Sequence, residues 1–254
     1  MRVENSFIGV RGVGEQTERD LWRRGATHWD AFDPSYLGPT TGERVDSFIT
    51  EARDRLDRGD ARFFGEALPD AETWRLYENF REGAAFFDIE TTGLSAARDR
   101  VTTVSVHRGG ETTTLVRGDD LTADALRAAL DAPLVVTFNG ASFDIPFLER
   151  SFDVSIDAPH VDLMHACRRL DLTGGLSEVE RRVGIERDRP DISGRDAVRL
   201  WHEHERGVDG ALETLIAYNR EDTVNLRALM DHVADGLHER TFERVRRADG
   251  RERP

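Results

Sequence analysis

The sequence predicts an α/β fold, a mixed sheet flanked by helices and preceded by a small helical region. Three observations predict it. Short β-branched and aromatic runs crowd residues 84 to 138; apolar residues then recur at helical spacing to about residue 236; and the first 80 residues carry helical patterning with no strand among them. At 254 residues with 38% hydrophobic content, the chain can bury a mid-sized core with an appendage.

Residues 1 to 33 read as a helical module in which Trp22 and Trp29 are packing anchors. Its glycines at 9, 12 and 14 resemble the hairpin of a helix-hairpin-helix element, whose backbone amides meet a phosphate at a helix N-terminus. About six residues precede them, so a first helix is missing, and a packing module with a glycine-rich helix start fits as well. A dinucleotide fingerprint fits worse, because no strand leads into the glycines and its third glycine is absent. Residues 34 to 80 read as a helical connector with charged faces. From 84 the pattern becomes strand (84 to 90), strand (Val101 to His107), strand (Thr112 to Val116), helix (Thr122 to Leu130) and strand (134 to 138). Helices then dominate, with His160 to Leu163 as an added edge strand. This domain runs from 84 to 236, and residues 237 to 254 form a charged tail.

Several acids stand where apolar residues are expected. Asp222 falls inside the stripe Leu212, Leu215, Ile216, Leu226, Leu229, Met230, Val233, and a carboxylate on the core face of a helix needs a cation, a proton or a strong donor facing it. Asp88 and Glu90, two apart on a strand, share one face. Asp144 opens a helix just after the strand 134 to 138 breaks at Asn139-Gly140. Four carboxylates at element ends suit a pair of hard divalent cations, Mg²⁺ or Mn²⁺, rather than zinc. Two such ions about 3.5 to 4 Å apart support phosphodiester chemistry. Tyr218, one helical turn before Asp222, faces the same space. The plainer alternatives are a helix cap for Asp144 and a surface pairing of Asp222 with Arg220 or Arg227.

The segments DIETTGL, FNGASFDIPFL and YNREDTVNL resemble the three exonuclease motifs of the DEDD superfamily, whose domain has the ribonuclease H-like fold. The resemblance implies that Asp88, Glu90, Asp144 and Asp222 hold two metal ions. It also implies the tyrosine branch, since Tyr218 stands four before the last acid and Ala217 occupies the histidine position of the other branch. That branch includes the proofreading exonuclease domains of several DNA polymerases, and there Tyr218 would orient the attacking water. The run from Gly174 to Trp201, followed by YNREDTVNL, is similar to a prokaryotic group of stand-alone predicted exonucleases, a likeness covering about residues 70 to 235. The implied activity is metal-dependent 3′-5′ hydrolysis of single-stranded DNA or RNA, releasing nucleoside monophosphates. Two other classes stay open: a non-catalytic nucleic-acid-binding module, and a structure-selective endonuclease on the same fold.

Contacts to a strand end are expected from the turn Thr91, Thr92, Gly93 and Leu94, where backbone amides can approach a phosphate and Leu94 can pack on a base, and from Asn139 and Phe143 beside the second motif. Phe143 fits the core equally well. Asp162 is positioned to support the site. His202 and His204, two apart on a predicted helix, point in different directions and read as a solvated face. The single cysteine, Cys167, excludes an internal disulfide and lacks zinc-ligand neighbours.

The formal net charge of -14 has the wrong sign for capturing a polyanion by long-range attraction. All 35 basic residues are arginine against 49 acids, a composition resembling that of salt-in haloarchaeal proteins, where multimolar salt shortens the Debye length to about 3 Å or less. Substrate capture then falls to metals, stacking and short hydrogen bonds. The arginine clusters 168 and 169, 181 and 182, and the tail from Arg240 are candidate phosphate contacts. No apolar run reaches the roughly 18 residues of a membrane helix, and the N-terminus lacks a signal-like pattern, so a cytoplasmic protein without a membrane partner is expected.

Overall fold

The computed structural model describes residues 1–250, with side chains to residue 247. The chain divides into two compact units, one of residues 1–81 with 233–254 and one of residues 82–232. The module, the connector and the start of the tail therefore all fall in the first unit. The end of the arginine-rich tail, residues 251–254, lies outside the described residues.

The first unit holds four helices near its start, α1 (Glu15–Arg23), α2 (Pro39–Asp57), α3 (Ala61–Ala67) and the short α4 (Tyr77–Phe80). Its centre is aromatic: Trp29 stacks on Phe64 and meets Phe48 edge-on. Beside them lies a buried ion network. Arg75, 1% exposed, donates to Glu18 at 2.9 Å, to Glu72 at 2.6 Å and to the Ser6 hydroxyl at 2.7 Å. Glu18 also accepts the backbone N–H groups of Phe7 and Ile8. These amides lead into the glycine-rich start, and here they point inward at a carboxylate.

The second unit is built on five strands, β1 (Ala85–Thr91), β2 (Val101–Arg108), β3 (Glu111–Val116), β4 (Val135–Thr137) and β5 (His160–Asp162), in the order β3-β2-β1-β4-β5. The first three are antiparallel; β4 and β5 add parallel on the other side of β1. Helix α5 (Ala123–Leu130) makes the crossover from β3 to β4, its N-cap Thr122 accepting the N–H of Ala125. It is followed by α6 (Asp144–Phe152), α7 (Leu163–Arg168), α8 (Leu176–Val183), α9 (Gly194–Glu205) and α10 (Ala211–His238). The chain continues through a widened helical segment, Glu239–Glu243, into α11 (Arg244–Gly250). The expected mixed sheet flanked by helices is present; β2 and β5 start where the sequence pattern puts them, and β1, β3 and β4 start one residue away.

Alternation along β1 divides its labour. Ala85, Phe87 and Ile89 enter a core with Leu126, Leu130, Phe147 and Leu148 of α5 and α6. Phe86, Asp88 and Glu90 take the other face. There Asn219 and Thr223 of α10 bond to β1 and β2. Leu215, Tyr218, Asn219, Asp222 and Leu226 are buried at intervals of three and four, so the stripe that makes α10 a core helix carries a polar segment.

Removing Arg75 takes the cation from two buried carboxylates. Arg75→Ala is expected to destabilise the first unit by about 3–5 kcal/mol. Urea unfolding of the full chain, followed by tryptophan fluorescence, checks this because three of the four tryptophans lie in that unit; a loss under about 1 kcal/mol contradicts it.

Candidate active site

Asp88 and Glu90 leave the centre of β1 on one face, and α10 brings Asp222 to them. One carboxylate oxygen from each of the three lies within 4.8 Å of the others. Asp144, the first residue of α6, stands outside this trio. Its Oδ1 accepts the N–H of Ile89 at 3.2 Å, which fixes it against β1 between the two acids of that strand. A pairing irregularity, Glu90 opposite Thr103 but Thr91 opposite Val101, turns the chain just beyond the acids.

The second motif is held from behind. Asp162, at the end of β5, accepts the N–H groups of Asn139 (2.8 Å), Ala141 (3.1 Å) and Met164 (3.0 Å). The Thr137 hydroxyl accepts the N–H of Gly140 at 3.1 Å and is bonded to His160 Nε2. Asn139 takes a left-handed conformation (φ 65°), which its short polar side chain tolerates, and a Cβ at Gly140 would lie 2.1 Å from the Thr137 hydroxyl. This turn delivers Asp144, and Asp162 acts through it as a positioning residue.

Electrostatics make the cluster costly. Burial pushes the Asp88 carboxyl up to about 7, although the hydrogen bond from Asn219 and the charge of Arg187 both pull it down. Burial, then the charges of Asp88 and Asp144, hold Glu90 well above the ordinary carboxylate range. Burial and Asp88 do the same to Asp144. The Tyr218 phenol is raised by burial and then by Glu90 and Asp88, so it stays protonated at neutral pH.

Three supporting residues had no place in the sequence reading. Asn219, fully buried, donates to Asp88 Oδ2 at 2.7 Å and accepts from the Thr103 hydroxyl at 3.0 Å. Helical spacing from Leu215 was the available signal for it. Arg187 forms an ion pair with Asp222, donates to Glu180 at 2.8 Å and sits with its guanidinium 5.7 Å from the Tyr218 ring centroid. The charged partner of Asp222 is thus Arg187, from a loop, in place of Arg220 or Arg227. Glu180 is fully buried on α8.

The expected strand-end contacts divide. Thr91 is buried, its hydroxyl donating to the Gly93 carbonyl at 2.6 Å. Thr92 exchanges bonds with Arg100: its N–H donates to the Arg100 carbonyl and its hydroxyl accepts the Arg100 N–H. A Cβ at Gly93 would lie 2.7 Å from the Asp99 carboxylate. Leu94 is 88% exposed beside the acid-bearing strand. Phe143 is half-buried, tilted against Phe147 at 5.4 Å and packed on the core. The Asn139 side chain accepts from the Ser142 hydroxyl.

Other candidates have local partners of their own. His202 pairs with Glu205, and His204 lies against Trp201. Arg181 pairs with Glu178, while Arg182 caps the carbonyls of Asp171 and Thr173. Cys167 is fully buried, and burial pushes its thiol up to about 12, which removes thiolate reactivity. No helix among the described residues is long and apolar enough to cross a membrane.

No curated protein matches the chain. Among solved structures it is similar to a nuclease in its apo form, at 23% identity over 66% of this chain and 80% of that one, with a TM-score of 0.45. It is also similar to Mg²⁺-bound NrnC of Brucella melitensis, at 17% identity over 68% of this chain and 83% of that one (TM-score 0.44). A third likeness is to the family B DNA polymerase of the hyperthermophilic archaeon Pyrobaculum calidifontis, at 17% identity over 62% of this chain and 24% of the polymerase (TM-score 0.45). The family profile of the RNase_H superfamily matches residues 85–234, more than half of the chain and the whole stretch from Asp88 to Asp222. This chain belongs to the RNase_H superfamily.

Proposed function

We propose that the protein is a divalent-metal-dependent 3′-5′ exonuclease of single-stranded DNA or RNA, acting in a salt-rich cytoplasm of the haloarchaeal kind. The observation that carries this reading is the convergence of Asp88, Glu90 and Asp222 within 4.8 Å, with Asp144 against the same strand. Polarity and monophosphate products rest on the motif resemblance to the tyrosine branch of the DEDD exonucleases.

The residues fit a hard cation. All the donors are carboxylate oxygens, one each from Asp88, Glu90 and Asp222 lies within 4.8 Å of the others, and among the described residues the four acids outnumber the one arginine paired with them. Asp88, Glu90, Asp144 and Asp222 would hold two Mg²⁺ or Mn²⁺ ions. When bound, the ions supply neutralisation of the acids, activation of water and stabilisation of the leaving oxygen. Tyr218, kept protonated, orients the attacking water through its phenol. Asn219 keeps Asp88 in the rotamer that faces Glu90 and Asp222. Leu94 offers an apolar surface for a terminal base, and the exposed part of Phe143 a stacking face.

Degradation of 5′-labelled linear DNA and RNA single strands, in molar KCl with Mn²⁺ or Mg²⁺, tests the activity. A descending ladder is expected, absent in Asp88→Ala and Asp222→Ala chains that retain their circular dichroism. Wild-type rates in a folded Asp88→Ala chain, or cleavage of circles as fast as of linear strands, contradict the reading. Tyr218→Phe is expected to lower kcat on the order of 10²-fold with little change in KM, because the water loses its orientation while the metal ligands stay.

The raised Asp88 also makes a thermodynamic prediction. A carboxyl whose folded pKa lies above its unfolded value leaves stability intact below about pH 4 and loses it as pH rises through the folded value, here about 7. In metal-free melts, the stability advantage of Asp88→Asn over wild type therefore grows from pH 4 to pH 7 and levels above it. Added Mn²⁺ reverses the order at pH 8. An advantage independent of pH contradicts the assignment.

A further inference from the structure

Arg187 is an unusual resident of an acid cluster. Its side chain is 9% exposed and sits on the loop between α8 and α9. That loop is tied to α10 by the Asp188 N–H, which donates to the Glu221 carboxylate. One nitrogen, Nη1, is anchored on the fully buried Glu180. Nη2 pairs with Asp222, and Nε is a buried donor with no hydrogen-bond partner. Buried guanidinium donors left open are costly, and a guanidinium fork matches phosphate oxygens. The free Nε belongs to a group already touching Asp222 and lying over the ring of Tyr218.

We propose that Arg187 is a switched cation: it holds Asp222 until a divalent ion takes that carboxylate, and then presents Nε and the released Nη2 to a phosphate oxygen of the substrate, with Glu180 as its fixed anchor. The proposal rests on the nuclease reading above. It makes Arg187 a competitor of the metal and a ligand of the nucleic acid, two roles with opposite consequences when the charge is removed. Glu180 has the reverse effect on metal binding, because without it Arg187 keeps Asp222 as its sole anion and the local negative charge falls.

Calorimetric titration of MnCl₂ into the metal-free full chain, at pH 8 and one KCl concentration, tests this. A second titration uses a phosphorothioate-linked pentathymidylate with Ca²⁺ present. Arg187→Gln is expected to bind Mn²⁺ about tenfold tighter and the oligonucleotide about tenfold weaker, the size of one charge interaction in a partly screened site. Glu180→Gln is expected to weaken both. A purely structural arginine would weaken Mn²⁺ binding in both variants, and that result overturns the proposal, as does unchanged oligonucleotide affinity in Arg187→Gln. If Arg187→Gln fails to fold, Glu180→Gln decides alone: unchanged or tighter Mn²⁺ binding overturns the proposal. Absence of Mn²⁺ binding by the wild-type chain would instead sink the metal-dependent reading itself.

Discussion

Repulsion among buried carboxylates governs the second unit. Asp88, Glu90 and Asp222 meet on one face of β1 with Asp144 bonded to the same strand; burial raises the protonation range of Asp88, and burial with the charges of neighbouring acids raises those of Glu90 and Asp144. A fold that relaxed this repulsion would move the acids apart, yet neighbouring elements hold them in place. Asn219 bonds Asp88 to α10, Ile89 fixes Asp144, and Asp162 locks the turn that delivers it. Stability spent in this way is the ordinary signature of a site arranged for a ligand of opposite charge.

Much of this arrangement is legible in the sequence because it follows from two periodicities. Alternation along a strand puts Asp88 and Glu90 on one face, and helical spacing puts Tyr218 and Asp222 together on the buried side of α10. The strands β2 and β3 are equally plain, since Val101 to Val116 is rich in β-branched Val and Thr. Sheet order is not: that β4 lies beside β1 depends on the crossover through α5, and no local pattern records it.

The partners of the acids are less legible for a related reason. Arg187 stands in GIERDRP, a run whose composition matches a solvated loop, and its partners Glu180 and Asp222 are joined to it only by folding. Asn219 sits between Tyr218 and the exposed Arg220, and only the three-and-four spacing from Leu215 to Asp222 marks it as buried. The substrate contacts are harder still: glycine at 93 fits a phosphate approach, but it also lies against the Asp99 carboxylate. The net charge of -14 leaves any nucleic acid to be held at short range, which gives weight to the few cationic and apolar groups beside the acids.

The central claim is that these acids are arranged around two divalent ions. Anomalous diffraction from crystals of the full chain grown with MnCl₂ tests it most directly. The account predicts two manganese peaks roughly 3.5 to 4 Å apart, bounded by Asp88, Glu90, Asp144 and Asp222, with Arg187 moved off Asp222. Crystals that bind manganese elsewhere, or that keep the Arg187–Asp222 pair with no ion among the four acids, would contradict it.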